Sequence, residues 1–108
     1  MHFAAEDILI TNGGSEALQI AMNCILDDGD EILIPEPSTP TTTPWPAPAR
    51  VIHPVSTSPE EGYFYADRRR IEAEITPRTR AILVTNPGNP TGTVLTHEEM
   101  EMLVDVAR

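Results

Sequence analysis

Two short turns contain the groups of this 108-residue chain that are best suited to bind a ligand. Residues 12–15 read Asn-Gly-Gly-Ser, and residues 86–92 read Asn-Pro-Gly-Asn-Pro-Thr-Gly. Glycines let the backbone approach a ligand, and a helix that begins at the first turn offers free N–H groups to a phosphate. In the second turn, proline restricts the backbone while asparagine donates and accepts hydrogen bonds. Each turn could equally be a plain connection between a strand and a helix, since the first matches neither a Walker A loop nor the dinucleotide pattern.

Apolar runs around these turns predict the elements that must position them. Runs rich in Ile, Leu and Val predict strands at residues 8–11, 31–35, 51–55 and 80–85. Helices are predicted from about residue 15 to 26, after Asp67, and after Thr96, where Glu99 completes a capping box. The first helix would present one apolar face of Leu18, Met22, Ile25 and Leu26. Strands that alternate with helices predict an α/β fold with a mainly parallel sheet, in which ligands bind at the carboxyl ends of the strands.

The composition predicts one acidic domain. The formal charge is −10, with 17 acidic and seven basic residues, which opposes binding to nucleic acid or to an anionic membrane surface. All seven basic residues are arginines, so the chain contains no lysine. No run approaches the ~20 apolar residues of a membrane span, and the first residues lack a signal-peptide pattern, so we expect a cytoplasmic setting. The single cysteine, Cys24, is expected to be a buried, inert thiol on the first helix.

The segment at residues 37–48 interrupts this pattern with repeated proline and threonine. It cannot form a helix or an interior strand, so we predict an extended, polyproline-like loop. A proline-rich ligand for a partner protein is the alternative. Trp45 within it is expected to pack or to be exposed rather than to stack on a ring. Outside this loop, we expect His53 to be structural and residues 68–70, all arginine, to form a solvated face.

Taken together, the turn at residues 12–15, the Asp-Gly-Asp-Glu-Ile run at 28–32 and the turn at 86–92 resemble the large domain of class I/II aminotransferases. These are fold-type I enzymes that use pyridoxal 5′-phosphate, and the likeness is to aspartate-type members. It covers nearly the whole chain except residues 38–48. The resemblance implies a three-layer α/β/α arrangement, with residues 1–108 as part of the large domain. It also implies amino-group transfer between an amino acid and a 2-oxo acid, in a homodimer.

The resemblance assigns roles by position. Gly13, Gly14 and Ser15 match the turn that holds the cofactor phosphate. Asn89 matches the asparagine that donates a hydrogen bond to the phenolic oxygen of the cofactor ring and lies beside the substrate carboxylate. The Asn89–Pro90 bond is a candidate cis peptide. No residue of this chain matches a catalytic residue of the family.

Three departures from the family pattern limit what we expect of this chain. The family lysine that forms a Schiff base with the cofactor has no counterpart, so the chain alone is not expected to transaminate. The family sheet has seven strands, so the strand at residues 8–11 would lack its neighbours and leave an exposed apolar edge. Thr39 stands where relatives carry an aromatic residue that stacks on the ring.

The third departure has a possible origin in the coding DNA. Codons can be chosen for residues 38–48 that encode family-like aromatic residues when they are read one nucleotide earlier, which suggests a compensated frameshift. The coding DNA tests this hypothesis. A degenerate product without activity and a proline-rich interaction module remain the alternatives to an aminotransferase fragment.

Overall fold

The computed structural model describes residues 2–38 and 51–108. Three α-helices and three β-strands follow one another along them: α1 (Gly14–Ile25), β1 (Glu31–Pro35), β2 (Val51–Val55), α2 (Arg68–Glu74), β3 (Thr79–Ile82) and α3 (His97–Val106). Single turns of 3-10 helix occur at Ala5–Asp7 and Pro59–Glu61. Local capping sets two helix starts as predicted, because the Asp67 carboxylate accepts from the Arg70 amide and Thr96 forms its capping box with Glu99.

The described strands form a parallel sheet in the order β2-β1-β3. Glu31 of β1 pairs with Val51 on one side and with Thr79 on the other. The central strand β1 is buried over four of its five residues, as expected for a parallel sheet covered on both faces. The predicted mainly parallel sheet is therefore confirmed.

Successive side chains of β1 point to opposite faces, and each face is covered by helix. Ile32 and Ile34 pack with Met22 and Leu26 of α1. On the other face, Leu33 packs in a cluster that joins β2, α2 and α3 through Val55, Ile71 and Leu103. The result is a three-layer α/β/α arrangement, as predicted.

The predicted strand at residues 8–11 is wrong. Residues 8–10 form no strand, and their side chains are exposed, Ile10 to 91%. A strand needs a neighbour to satisfy its backbone groups, and the described part of the chain supplies none to this segment. The expected exposed apolar segment is present, but it is not a sheet edge. The strand predicted at 80–85 is also shorter than expected, since β3 ends at Ile82.

Cys24 is exposed, so the prediction of a buried thiol is wrong. Met22 and Leu26 face the sheet, and Cys24 lies two residues from each, about 200° around the helix. Its side chain therefore points away from the sheet. Ile25, predicted on the apolar face, is about half exposed, because it lies at the edge of that face, about 60° from Met22 and about 100° from Leu26 around the helix. From residue 39 onward, the predicted loop at 37–48, with Thr39 and Trp45, lies outside the described residues.

A polar network holds the amino edge of the sheet. Glu31 is 4% exposed and accepts hydrogen bonds from Thr76 Oγ1 at 2.6 Å and from Arg78 Nε at 3.1 Å. The Thr76 bond, together with Arg78, lowers the pKa of Glu31 although burial acts in the opposite direction. His53 Nε2 lies 2.7 Å from Glu74 Oε2, and His53 Nδ1 lies 3.8 Å from Glu31 Oε2. His53 therefore joins β2 to α2, which is a structural role.

The arginines at residues 68–70 are only in part the solvated face that we expected. Arg68 and Arg69 are exposed, and Arg68 pairs with Glu72 of its own helix. Arg70 instead donates to the Phe64 carbonyl at 2.5 Å and pairs with Glu61 at 3.0 Å. It thereby fixes the connection between β2 and α2.

Candidate cofactor site

After β3, residues 86–95 fold back as a closed loop that carries Asn89. Within it, the Gly88 amide donates to the Thr93 carbonyl at 2.7 Å, and the Gly92 amide donates to the Gly88 carbonyl at 2.8 Å. The Asn89–Pro90 bond is cis, as predicted, and so is Asn86–Pro87. These bonds close the loop around Asn89, so the backbone on either side of that side chain is fixed.

The loop packs tightly at Gly88. A Cβ atom at this position would lie 2.5 Å from Thr91 Oγ1. That hydroxyl is already engaged, because it lies 2.9 Å from Thr93 Oγ1 and accepts from the Thr93 amide at 3.3 Å. Glycine is therefore required at position 88 by space and not by backbone conformation.

A second contact closes the base of the loop. Asn86 Oδ1 accepts a hydrogen bond from the Leu95 amide at 3.1 Å. Leu95 is buried in the cluster with Leu33, Ile71 and Leu103. The first residue of the loop is thus bonded to a residue that belongs to the core.

Asn89 lines a small pocket of about 30 Å³ at the carboxyl edge of the sheet. Other lining residues are Pro35, Glu36, Tyr63, Tyr65 and Thr85. They come from the end of β1, from the segment that follows β3 and from the connection after β2. The pocket is large enough for a water molecule, which needs at least about 10–15 Å³ of such space.

Two tyrosines of this pocket were not identified from the sequence. Tyr63 has a φ of 58°, in the left-handed region that side chains other than glycine rarely adopt, and it follows Gly62 at 62°. Tyr65 is buried, and burial raises the pKa of its hydroxyl, with the nearby Glu99 carboxylate acting in the same direction. Sheet topology could have indicated them. In a parallel sheet the carboxyl end of β2 lies beside that of β1, so the residues that follow β2 reach the same edge of the sheet as Asn89.

The glycine turn forms the open start of α1. Gly13 has a φ of 90°, which favours glycine, and the helix begins at Gly14. A Cβ atom at Gly13 or Gly14 would meet nothing within 4 Å. Gly13 provides no side-chain cap. The Asn12 amide donates to Glu16, and the Gly13 carbonyl accepts from the Thr11 hydroxyl at 2.9 Å. The first amides of α1 and the exposed Ser15 hydroxyl are therefore accessible to an anion.

The structure does not place the two turns in one pocket. Asn89 lines the small pocket, and Gly13, Gly14 and Ser15 do not. Topology still directs both to the same edge. The short connection 26–30 joins the end of α1 to the start of β1, and α1 packs on that strand. The helix therefore runs antiparallel to β1, and its Gly14 end lies toward the carboxyl end of the strand.

Residues 2–38 and 51–108 contain neither a candidate metal site nor a candidate membrane-spanning helix. No group of three or more His, Cys, Asp or Glu side chains in these residues is arranged to hold a metal ion. Nor does any helix in that part of the chain combine the length and apolar character needed to cross a membrane.

The parallel α/β/α arrangement of this chain matches part of the fold of aminotransferases of known structure. The chain belongs to the family described as aminotransferase class I and II, whose model matches residues 1–108. Enzymes of this family depend in general on pyridoxal phosphate.

Individual relatives show the same likeness. Glutamate-pyruvate aminotransferase AlaA of Escherichia coli is 40% identical over 105 residues, which cover 95% of this chain and 25% of that protein. Aspartate/prephenate aminotransferase of Thermus thermophilus is 40% identical over 106 residues, 94% of this chain and 26% of that protein. A double mutant of Thermus thermophilus aspartate aminotransferase superposes with a TM-score of 0.77 at 40% identity, over 88% of this chain and 25% of that one. The chain therefore spans about a quarter of the length of the curated relatives that it matches.

Proposed function

We propose that residues 1–108 form part of the large domain of an aminotransferase and supply part of its pyridoxal phosphate site. The observation that carries the proposal is the closed loop that fixes Asn89 at the carboxyl edge of the sheet, on a chain whose helix α1 starts openly at the same edge. When bound, pyridoxal phosphate supplies an electron sink for reactions of amino acids.

The donor set at this edge fits such a cofactor. A phosphate dianion and a phenolate-like oxygen both need hydrogen-bond donors, and backbone amides, a hydroxyl and a side-chain amide are donors. Gly13, Gly14 and Ser15 would hold the phosphate at the positive end of the α1 dipole. The Asn89 amide would donate to the phenolic oxygen of the ring and orient the substrate carboxylate beside it. The Glu16 carboxylate accepts the Asn12 amide beside this turn and would compete with the phosphate for the start of the helix.

The chain lacks the amine that bonds to the cofactor, since it contains no lysine. We therefore propose that these 108 residues alone do not transaminate and that turnover belongs to a longer protein. The relatives are named for glutamate, pyruvate, aspartate and prephenate. By analogy, the substrate class is an amino acid with a 2-oxo acid, and we propose a homodimeric assembly for the longer protein.

Binding of pyridoxamine 5′-phosphate to the 108-residue chain tests the proposal. This probe keeps the ring and the phosphate but has no aldehyde, so it cannot react with the N-terminal amine. Ser15→Ala and Asn89→Ala each remove a proposed hydrogen bond, worth about 0.5–1.5 kcal/mol, and should weaken binding by about 2- to 10-fold. Cys24→Ser is the matched control, because it changes a small exposed side chain on the same helix as Ser15. No saturable binding at millimolar probe, or equal affinity in all four proteins, would contradict the proposal.

A further inference from the structure

The loop that carries Asn89 cannot be held by strand pairing at its base. β3 ends at Ile82, so neither Asn86 nor Leu95 belongs to a strand of the described sheet. Pro87 has no N–H to donate. Among the described residues, the backbone bonds inside the loop join Gly88 to Gly92 and to Thr93, and they do not reach its base. Besides the burial of Leu95 in the core, the bond that joins the two ends of the loop must therefore come from a side chain.

Asn86 provides that side chain. Its Oδ1 atom accepts the Leu95 amide at 3.1 Å in a partly buried position. Leu95 is 7% exposed and lies among the core side chains between the sheet and the helices. The bond joins residues nine positions apart, one at each end of the loop, and the inner bond from Gly88 to Thr93 lies between them.

The two bonds have different consequences. The inner bond gives the loop its own shape, whereas the Asn86 bond sets the direction in which the shaped loop leaves the core. If only the inner bond remained, the Asn86 end of the loop could shift relative to Leu95, which its burial holds in the core. The Asn89 side chain would then move relative to the end of β1 and to the segment after β3, which line the same pocket.

We propose that Asn86 is a positioning residue that holds Asn89 toward the ligand, through its bond to Leu95. This inference rests on the proposed function, because it assumes that Asn89 contacts the cofactor or substrate. Asn86 itself does not line the pocket that Asn89 lines. Its contribution is transmitted entirely through Asn89.

A double-mutant cycle separates this role from a general structural one. Asn86→Ala should weaken pyridoxamine 5′-phosphate binding by about as much as Asn89→Ala does. In a chain that already carries Asn89→Ala, the same Asn86 change should alter binding less than twofold, since it acts through the missing side chain. Asn86→Asp keeps an acceptor oxygen at the same position and should retain most of the affinity. Equal losses in both backgrounds, or no rescue by aspartate, would overturn the proposal.

Backbone ¹⁵N relaxation supplies a readout that needs no ligand. Asn86→Ala should raise the mobility of the amides of Gly88, Asn89 and residues 91–93, while the amides of β1 remain as rigid as in the parent chain. Unchanged loop mobility would overturn the inference whatever the binding data show. If the parent chain fails to bind the probe, the proposed function fails instead, and the relaxation comparison still decides whether Asn86 positions the loop. Global unfolding of both Asn86→Ala and Asn86→Asp would also refute it, because the proposal confines the effect to the loop.

Discussion

Replacing Gly88 by alanine should loosen the Asn89 loop through one specific clash. The new Cβ atom would lie 2.5 Å from Thr91 Oγ1, so the Thr91 side chain must turn away. In doing so it leaves the Thr93 amide at 3.3 Å and the Thr93 hydroxyl at 2.9 Å. The other near atoms, the Thr93 nitrogen and oxygen, stand at 3.4 Å and can remain in place.

The size of the effect follows from these two bonds. Each net hydrogen bond is worth about 0.5–1.5 kcal/mol, so their loss costs about 1–3 kcal/mol of unfolding free energy. Alanine also restricts the unfolded chain, which offsets about 0.4–1 kcal/mol of that cost. We expect a net loss of about 1–2 kcal/mol, and each kcal/mol lowers Tm by about 4–8 °C in a domain of this size.

Urea unfolding followed by circular dichroism measures this loss, and two further variants test its cause. Thr91→Ala removes the atom that the new methyl group would meet, so Gly88→Ala in that background should be neutral or slightly stabilising. Gly14→Ala is the matched glycine control, because nothing lies within 4 Å of its added Cβ, and it should not destabilise the fold. The reasoning is refuted if Gly88→Ala costs nothing, or if it costs the same with and without the Thr91 hydroxyl.

Three further predictions concern titration and exposure. The hydrogen bond from Thr76 lowers the pKa of Glu31, so this carboxylate stabilises the fold at any pH above its ordinary pKa of 4.5. That contribution is lost as the pH falls through the lower pKa of the folded state. Urea unfolding between pH 7 and 3 should therefore show a smaller loss of stability in acid for Glu31→Gln than for the parent chain. Burial, and then the Glu99 carboxylate, raise the pKa of Tyr65, so its hydroxyl contributes fully to stability below the ordinary pKa of 10.0. That contribution is lost as the pH rises through the higher pKa of the folded state. In the same assay, Tyr65→Phe should lose less stability in alkali than the parent chain. Cys24 should react with a thiol reagent in the native chain at a rate close to that in urea, and Cys24→Ser should change the unfolding free energy by less than about 0.5 kcal/mol; strong native protection would contradict its exposed position.

The parts of the fold that local chemistry determines could be predicted from the sequence. The apolar run at 31–35 is the central strand, since burial on both faces requires apolar residues throughout. Thr96 and Glu99 begin α3 through bonds within one helical turn, which need no tertiary contact. Such features are visible in sequence because their partners lie three or four residues away.

The predictions that were wrong concern segments whose structure depends on residues far away in the sequence. Residues 8–10 have strand composition, but a strand forms only against a neighbour, and composition does not supply one. The candidate site shows the same division. Asn89 was identified by its motif, whereas the bond from Asn86 to Leu95 depends on the direction of a side chain, and Tyr63 reaches the pocket only because β2 lies beside β1.

The exposed run Ile8-Leu9-Ile10 has a consequence for how the chain behaves in concentrated solution. Exposed, uncharged β-branched and leucine side chains in an extended run form a template for pairing with another copy. The net charge of −10 opposes that encounter by repulsion between copies. Salt shortens the reach of this repulsion, from about 10 Å at 0.1 M to about 3 Å at 1 M, and leaves the apolar attraction in place. The colloidal stability of this chain should therefore fall as ionic strength rises, so dilute buffer would keep it dispersed and concentrated salt would aggregate it.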